Sequence, residues 1–150
     1  MGYTHYFTVK KAKLLNKAVR KDLKRVLDKA YNQGLIQKEW NEKGKYELTE
    51  KHIRFNGIED DGHETFYFMA NNEGWAFCKT ARKPYDKVVM QVLLILKDYF
   101  KDNLTVGSDG DFNCEWLEAI HWASYEGYSV EWAIKAVEEE NNRDERDLPF

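Results

Sequence analysis

Polar and apolar positions along this chain follow two periods, and the switches between them mark its elements. Thr4 to Val9 mixes aromatic and β-branched residues and reads as a strand. Between residues 16 and 32, Val19, Leu23, Val26, Leu27 and Ala30 recur at helical spacing, with Asn16 placed to cap the start and Gly34 just past the end. Residues 35–51 carry no clear period, although Glu47 to Thr49 reads as a short strand or turn. His52 to Phe55 reads as a strand closed by Asn56-Gly57, followed by an acidic loop, Glu59 to Gly62. A strand from His63 to Met69, a turn from Ala70 to Gly74 and a strand from Trp75 to Lys79 come next.

The run Val88 to Phe100 is apolar on most sides, which predicts a central core helix over 84–101 with Pro84 at its first position. Leu104 to Val106 reads as a strand and Gly107-Ser108-Asp109-Gly110 as a turn. A helix over 114–125 places Trp116, Leu117, Ile120 and Ala123 on one face. Ser129 suits the cap of a short fourth helix bearing Val130, Ala133, Ile134 and Val137, and residues 138–147 read as a solvated, charged tail. The pattern predicts one α+β domain, a small and mainly antiparallel sheet packed by about four helices.

Composition narrows the class. Aromatics at 15% of 150 residues argue for a real core and against disorder. No apolar run reaches the roughly 20 residues of a membrane span, and no signal peptide opens the chain. The two cysteines, Cys78 and Cys114, have neither disulfide-framework nor metal spacing, which points to a reducing, cytoplasmic setting. No metal and no cofactor is expected, since the nucleotide-loop, dinucleotide and metalloprotease signatures are absent.

Charge is uneven. Residues 1–51 hold 13 Lys/Arg against 6 Asp/Glu, whereas residues 111–150 hold 3 against 11. The two ends can attract one another within the fold or across a homo-oligomer. The basic residues lie along one helix without a recognisable motif, which argues against nucleic acid as the partner.

Candidate chemistry concentrates at Lys79-Thr80-Ala81-Arg82-Lys83, ahead of Pro84 and the long helix. Cations, a hydroxyl and the free N–H groups of a helix start suit a phosphate, with Lys79, Thr80 and Arg82 as its ligands. The bland alternative is a solvated loop pairing with the acidic C-terminal third. Tyr3 and His5 share one strand face and Tyr6 the other. They either pack on the sheet or offer hydrogen bonds and a stacking surface for a base. Asn56 precedes a turn beside His63 and Glu64, a pair suited to acid–base work or to orienting a lysine. Asp109 either serves turn chemistry and helix capping, or meets a ribose hydroxyl or orients a cation from the basic loop, and Tyr85 could also stack on a base.

The order of Met1-Gly2-Tyr3-Thr4-His5-Tyr6, Ile53-Arg54-Phe55-Asn56-Gly57, His63-Glu64-Thr65-Phe66, Phe77 through Asp86, and Ser108-Asp109-Gly110 resembles a set of small proteins of bacteria and their phages. The likeness runs to about residue 110. It implies a bacterial or phage-infected cell and a candidate site, and no particular reaction. The expectation is therefore a binder of a phosphorylated, nucleotide-derived small ligand, which in a phage would sequester a host nucleotide signal. The alternatives are a phosphodiesterase or nucleotide-cleaving enzyme using His63 and Glu64, and a protein-interaction module binding through its charged ends.

Overall fold

A computed structural model describes residues 3–146. The described chain forms six strands and four α-helices in the order β1 (Thr4–Val9), α1 (Lys17–Asn32), β2 (Glu47–Leu48), β3 (His52–Phe55), β4 (Phe66–Met69), β5 (Gly74–Lys79), α2 (Asp86–Phe100), β6 (Leu104–Ser108), α3 (Leu117–Tyr125) and α4 (Glu131–Arg146). The fold is α+β. The strands make two three-stranded antiparallel sheets, β5-β1-β6 and β2-β3-β4, where the sequence pattern had suggested one.

Side-chain alternation in β1 sends His5, Phe7 and Val9 inward and Tyr6 and Thr8 toward solvent. The inward rings join the sheets, since Phe7 lies 5.3 Å from Phe66 and 5.9 Å from Phe68, centroid to centroid. The Asn16 side chain caps α1 by accepting the Val19 N–H at 2.9 Å, and all five of the predicted core positions of α1 are buried. Helix α2 is buried on nearly every side, from Val88 through Leu96 with Gln91 alone half-exposed, because α1, α3 and β6 all pack against it. None of the described helices is long and apolar enough to cross a membrane.

Several boundaries differ from the sequence pattern for identifiable reasons. Helix α2 begins at Asp86, because Pro84 and Tyr85 belong to a turn in which the Asp86 N–H donates to Lys83 O. Strand β4 begins at Phe66, because Asn56 holds the preceding segment as a loop. The Asn56 Nδ2 donates to His63 O and Thr65 Oγ1, and its Oδ1 accepts from the His63 and Gly57 N–H groups. That loop needs glycine at both ends, since a Cβ on Gly57 would lie 2.3 Å from Asp61 O and one on Gly62 would lie 2.7 Å from Gly57 O. The acidic loop contains a single 3-10 turn, Glu59–Asp61. Helix α3 starts at Leu117, after turns that bury Trp116. The segment from residue 138 is helix, not tail, up to Arg146. Glu140 on it accepts the N–H groups of Phe112 and Asn113.

Two predictions arise here. Burial pushes the Cys78 thiol up to about 12, whereas Cys114 is exposed. Iodoacetamide at pH 8 is expected to give one adduct on the native protein, at Cys114, and two after denaturation; rapid native labelling of Cys78 by peptide mapping would contradict that burial. Asp28 is held down at about 2, first by Lys24 and then by the Tyr46 hydroxyl, against an ordinary value of 3.8. A carboxylate with a lowered folded value contributes stability above its unfolded value and loses it as pH falls through the folded one. Asp28→Asn is therefore expected to remove part of the acid-limb slope of stability between about pH 4 and pH 2. Superimposable acid limbs would contradict the Lys24–Asp28–Tyr46 linkage.

Candidate functional site

The basic loop is a tight, strained turn. Ala81 and Arg82 have φ of 52° and 56°, two consecutive side-chain-bearing residues in the left-handed region. Each such residue costs roughly 1–2 kcal/mol. The turn is tied down by main-chain bonds: the N–H groups of Thr80 and Ala81 both donate to Tyr3 O, and the Lys83 N–H donates to Thr80 O. Its consequence is to lay the Arg82 guanidinium over the Tyr3 ring, 4.1 Å from the centroid, with Nε donating to Glu115 Oε2 at 2.8 Å.

Beneath Arg82 lies a buried polar network. Asp86, in the first turn of α2, accepts at one oxygen, Oδ1, from His5 Nε2 at 2.5 Å and from the Thr80 hydroxyl at 2.6 Å. Nδ1 of His5 hydrogen-bonds Ser108 Oγ at 2.8 Å, and that oxygen also accepts the Gly110 N–H. The His5 ring stands edge-on between Tyr3 and Trp116, at centroid distances of 5.1 and 5.2 Å. Gly110 leaves room for Tyr3, since a Cβ there would fall 2.3 Å from the Tyr3 hydroxyl. Burial pushes that hydroxyl up, and among the described residues neither it nor Trp116 Nε1 has a hydrogen bond of good geometry, although Ser108 lies close to Tyr3. The anion at the helix start is thus the protein's own carboxylate, so Thr80 and the α2 N-terminus do not present a vacant phosphate seat.

Asp86 nevertheless reaches the surface. Among the described residues no side chain bonds its Oδ2, and Asp86 lines a cleft of about 320 Å³ between α2 and α3. Arg82 and Lys87 supply cations, Glu115 and Glu118 carboxylates, and Met90, Ala119 and Trp122 apolar and aromatic surface. The ion pairs at the mouth are solvent-facing: Arg82 is 59% exposed against Glu115, and Lys87–Glu118, at 3.6 Å, is more exposed still. Exposed pairs are worth about 0–1 kcal/mol, so either cation can be recruited by a ligand at little cost.

The sequence-predicted residues fall into separate places. Tyr3, His5, Thr80 and Tyr85 are buried around Asp86 and the base of the loop; the Tyr85 hydroxyl donates to Glu64 O at 2.5 Å, and its ring cannot stack on a ligand from there. Asn56 is buried and serves the loop that precedes β4. Tyr6, Lys79 and Asp109 lie on the outer face or ends of the β5-β1-β6 sheet, where the Tyr6 hydroxyl donates to Asp109 Oδ1 at 3.0 Å. Asp109 Oδ2 also accepts the Thr4 N–H, so both of its carboxylate oxygens are engaged with β1. His63 is exposed, while the Glu64 carboxylate accepts the Lys79 main-chain N–H at 2.9 Å, engaging the lysine's backbone, not its ammonium. Only Arg82 of the predicted ligand set lines the cleft.

Asp86, Lys87, Met90 and Trp122 were not singled out from the sequence. Asp86 had a signal: His5 is a lone imidazole among inward apolar residues of a strand, and a buried ring needs an acceptor. The others converge only through the packing of α3 on α2. No protein family, curated protein or solved structure matches the chain.

Proposed function

We propose that this protein binds a small phosphorylated, nucleotide-derived ligand in the cleft between α2 and α3. The observation that carries the proposal is the placement of Arg82, which a strained turn and the Tyr3 ring hold at the mouth of an apolar-floored cleft, beside a carboxylate oxygen that no side chain among the described residues bonds. Arg82 exchanges Glu115 for phosphate, with which a guanidinium makes two parallel hydrogen bonds. Lys87 supports it as a point charge. Trp122 and Met90 offer the surface for a planar ring, and Asp86 Oδ2 accepts from a sugar hydroxyl. Cleft volume and lining suit a ligand of that size, since small-molecule sites start near 300 Å³. In a phage-infected cell such a protein would act by sequestering a host nucleotide signal, without turnover.

Calorimetric titration with linear and cyclic nucleotides tests this. Arg82→Ala is expected to lower affinity about 10–100-fold, the worth of a lost charge-assisted pair of hydrogen bonds. The substitution removes a solvent-exposed ion pair with Glu115, which contributes little to stability, so nearly unchanged melting with lost affinity is the expected combination. Wild-type affinity in folded Arg82→Ala, or no binding across the series, would overturn the proposal.

A further inference from the structure

The α2–α3 cleft does not end at Trp122. A second hollow of about 330 Å³ opens where α1 packs beside the same two helices, with Arg25, Lys29 and Gln33 of α1, Val88 of α2 and Glu126 of α3 in its lining. Lys87, Gln91 and Trp122 line both hollows. The helical period explains the division. Lys87 and Gln91 lie one turn apart on a single stripe of α2, with Asp86 and Met90 to one side of it and Val88 to the other. The two hollows are therefore halves of one groove that crosses α2 over this stripe. Each half alone is near the lower limit of small-molecule sites, roughly 300 Å³, and the whole groove lies well inside their range.

The halves differ in charge. In the α2–α3 half Asp86, Glu115 and Glu118 outnumber Arg82 and Lys87, whereas in the α1 half Arg25, Lys29 and Lys87 face Glu126 alone. Arg25 is committed locally: it pairs with Glu126 at 3.7 Å, donates to the Tyr128 hydroxyl and has Asp22 close by. Lys29 is exposed and has no ion-pair partner among the described residues. The last carbonyls of α1 do not claim it, since the Gln33 N–H donates to Lys29 O and the Leu35 N–H to Ala30 O. On the shared stripe, Gln91 is half-buried, and among the described residues no hydrogen bond engages its side-chain amide. A carboxamide offers a donor and an acceptor together, which is what the edge of a base matches. Val26, Ala30 and Val88 give the α1 half an apolar wall on which a flat ring can lie. A nucleotide unit needs these three things: an unpaired cation, an apolar wall and an amide at the rim.

We infer that the ligand of this groove is a dinucleotide, one unit in each half, with Arg82 on its terminal phosphate, Lys29 and Lys87 on the phosphate that links the units, and Gln91 facing a base edge. The inference rests on the reading of the α2–α3 half as a nucleotide site and extends its ligand from one unit to two. The chain gives no local sign of the second half, because Lys29, Lys87 and Trp122 meet only where three helices pack.

The test is calorimetric titration with the common ribonucleoside 5′-monophosphates and the matching 5′-phosphorylated homodinucleotides. The preferred dinucleotide is expected to bind one-to-one and at least about tenfold more tightly than its mononucleotide, the worth of one further charge-assisted contact. Lys29→Ala changes an exposed side chain without an ion pair, so the fold is retained. It is expected to lower dinucleotide affinity about tenfold and to leave mononucleotide affinity unchanged, whereas Arg82→Ala lowers both. Mononucleotide binding that depends on Arg82, with no dinucleotide advantage or with two mononucleotides bound per chain, would overturn the dinucleotide inference alone. Dinucleotide affinity unchanged in Lys29→Ala would do the same. No binding by any member of the series would overturn this inference together with the reading on which it rests.

Discussion

Asp86→Ala is expected to destabilise the protein by about 2–6 kcal/mol, the largest single effect of any change at the site. The substitution removes the common acceptor of two buried donors, His5 Nε2 and the Thr80 hydroxyl. Each stranded donor costs about 1–3 kcal/mol. It also removes the acidic group from the first turn of α2, where the helix dipole favours it. Asp86→Asn retains the shape and an acceptor oxygen, so its cost should be well below that of alanine. Urea denaturation of the two variants checks this; an alanine cost under about 1 kcal/mol would mean that the network contributes little to folding. The contrast separates polar satisfaction from cleft chemistry, because Asn preserves most of the former and loses the charge facing the cleft.

Leu93→Ala is expected to cost about 2–5 kcal/mol, the range for emptying a fully buried leucine site. Leu93 has no exposed surface and lies mid-helix in α2, which α1, α3 and β6 enclose, so the cavity has little freedom to collapse. Because the cleft is built on the same helix, ligand affinity measured well below the melting transition should change little. A cost under about 0.5 kcal/mol in a denaturant melt would place that side chain outside the core.

Periodicity made α1, β1, β3 and the core of α2 legible, because the apolar face of each is written locally. Val19, Leu23, Val26, Leu27 and Ala30 are all buried, as their spacing requires. The start of α2 was not legible in the same way. Proline favours the first helical position, yet Pro84 here precedes a turn closed by Lys83 O, and a proline fits either place equally well. The left-handed pair Ala81-Arg82 contains no glycine or asparagine and so gives no sign of itself in the chain. Polar residues within apolar strands, such as His5, look alike in sequence whether they face a ligand or one another. Here Tyr3, His5, Thr80 and Asp86 satisfy or crowd one another, and the cleft is completed by residues of α2 and α3 roughly 30 positions apart. The charged segment after residue 138 was misjudged because its stabilising partners, the N–H groups of Phe112 and Asn113, lie far back along the chain.

The central claim, a nucleotide-derived phosphate ligand in the α2–α3 cleft, is tested most directly by amide and indole chemical-shift mapping during titration with nucleotides. Saturating shifts are expected at Lys87, Gln91, Ala119 and the Trp122 indole, with the Arg82→Ala protein reaching the same shifts only at about 10–100-fold higher ligand concentrations. Shifts confined to other surfaces, or identical titration curves for wild-type and Arg82→Ala protein, would contradict it.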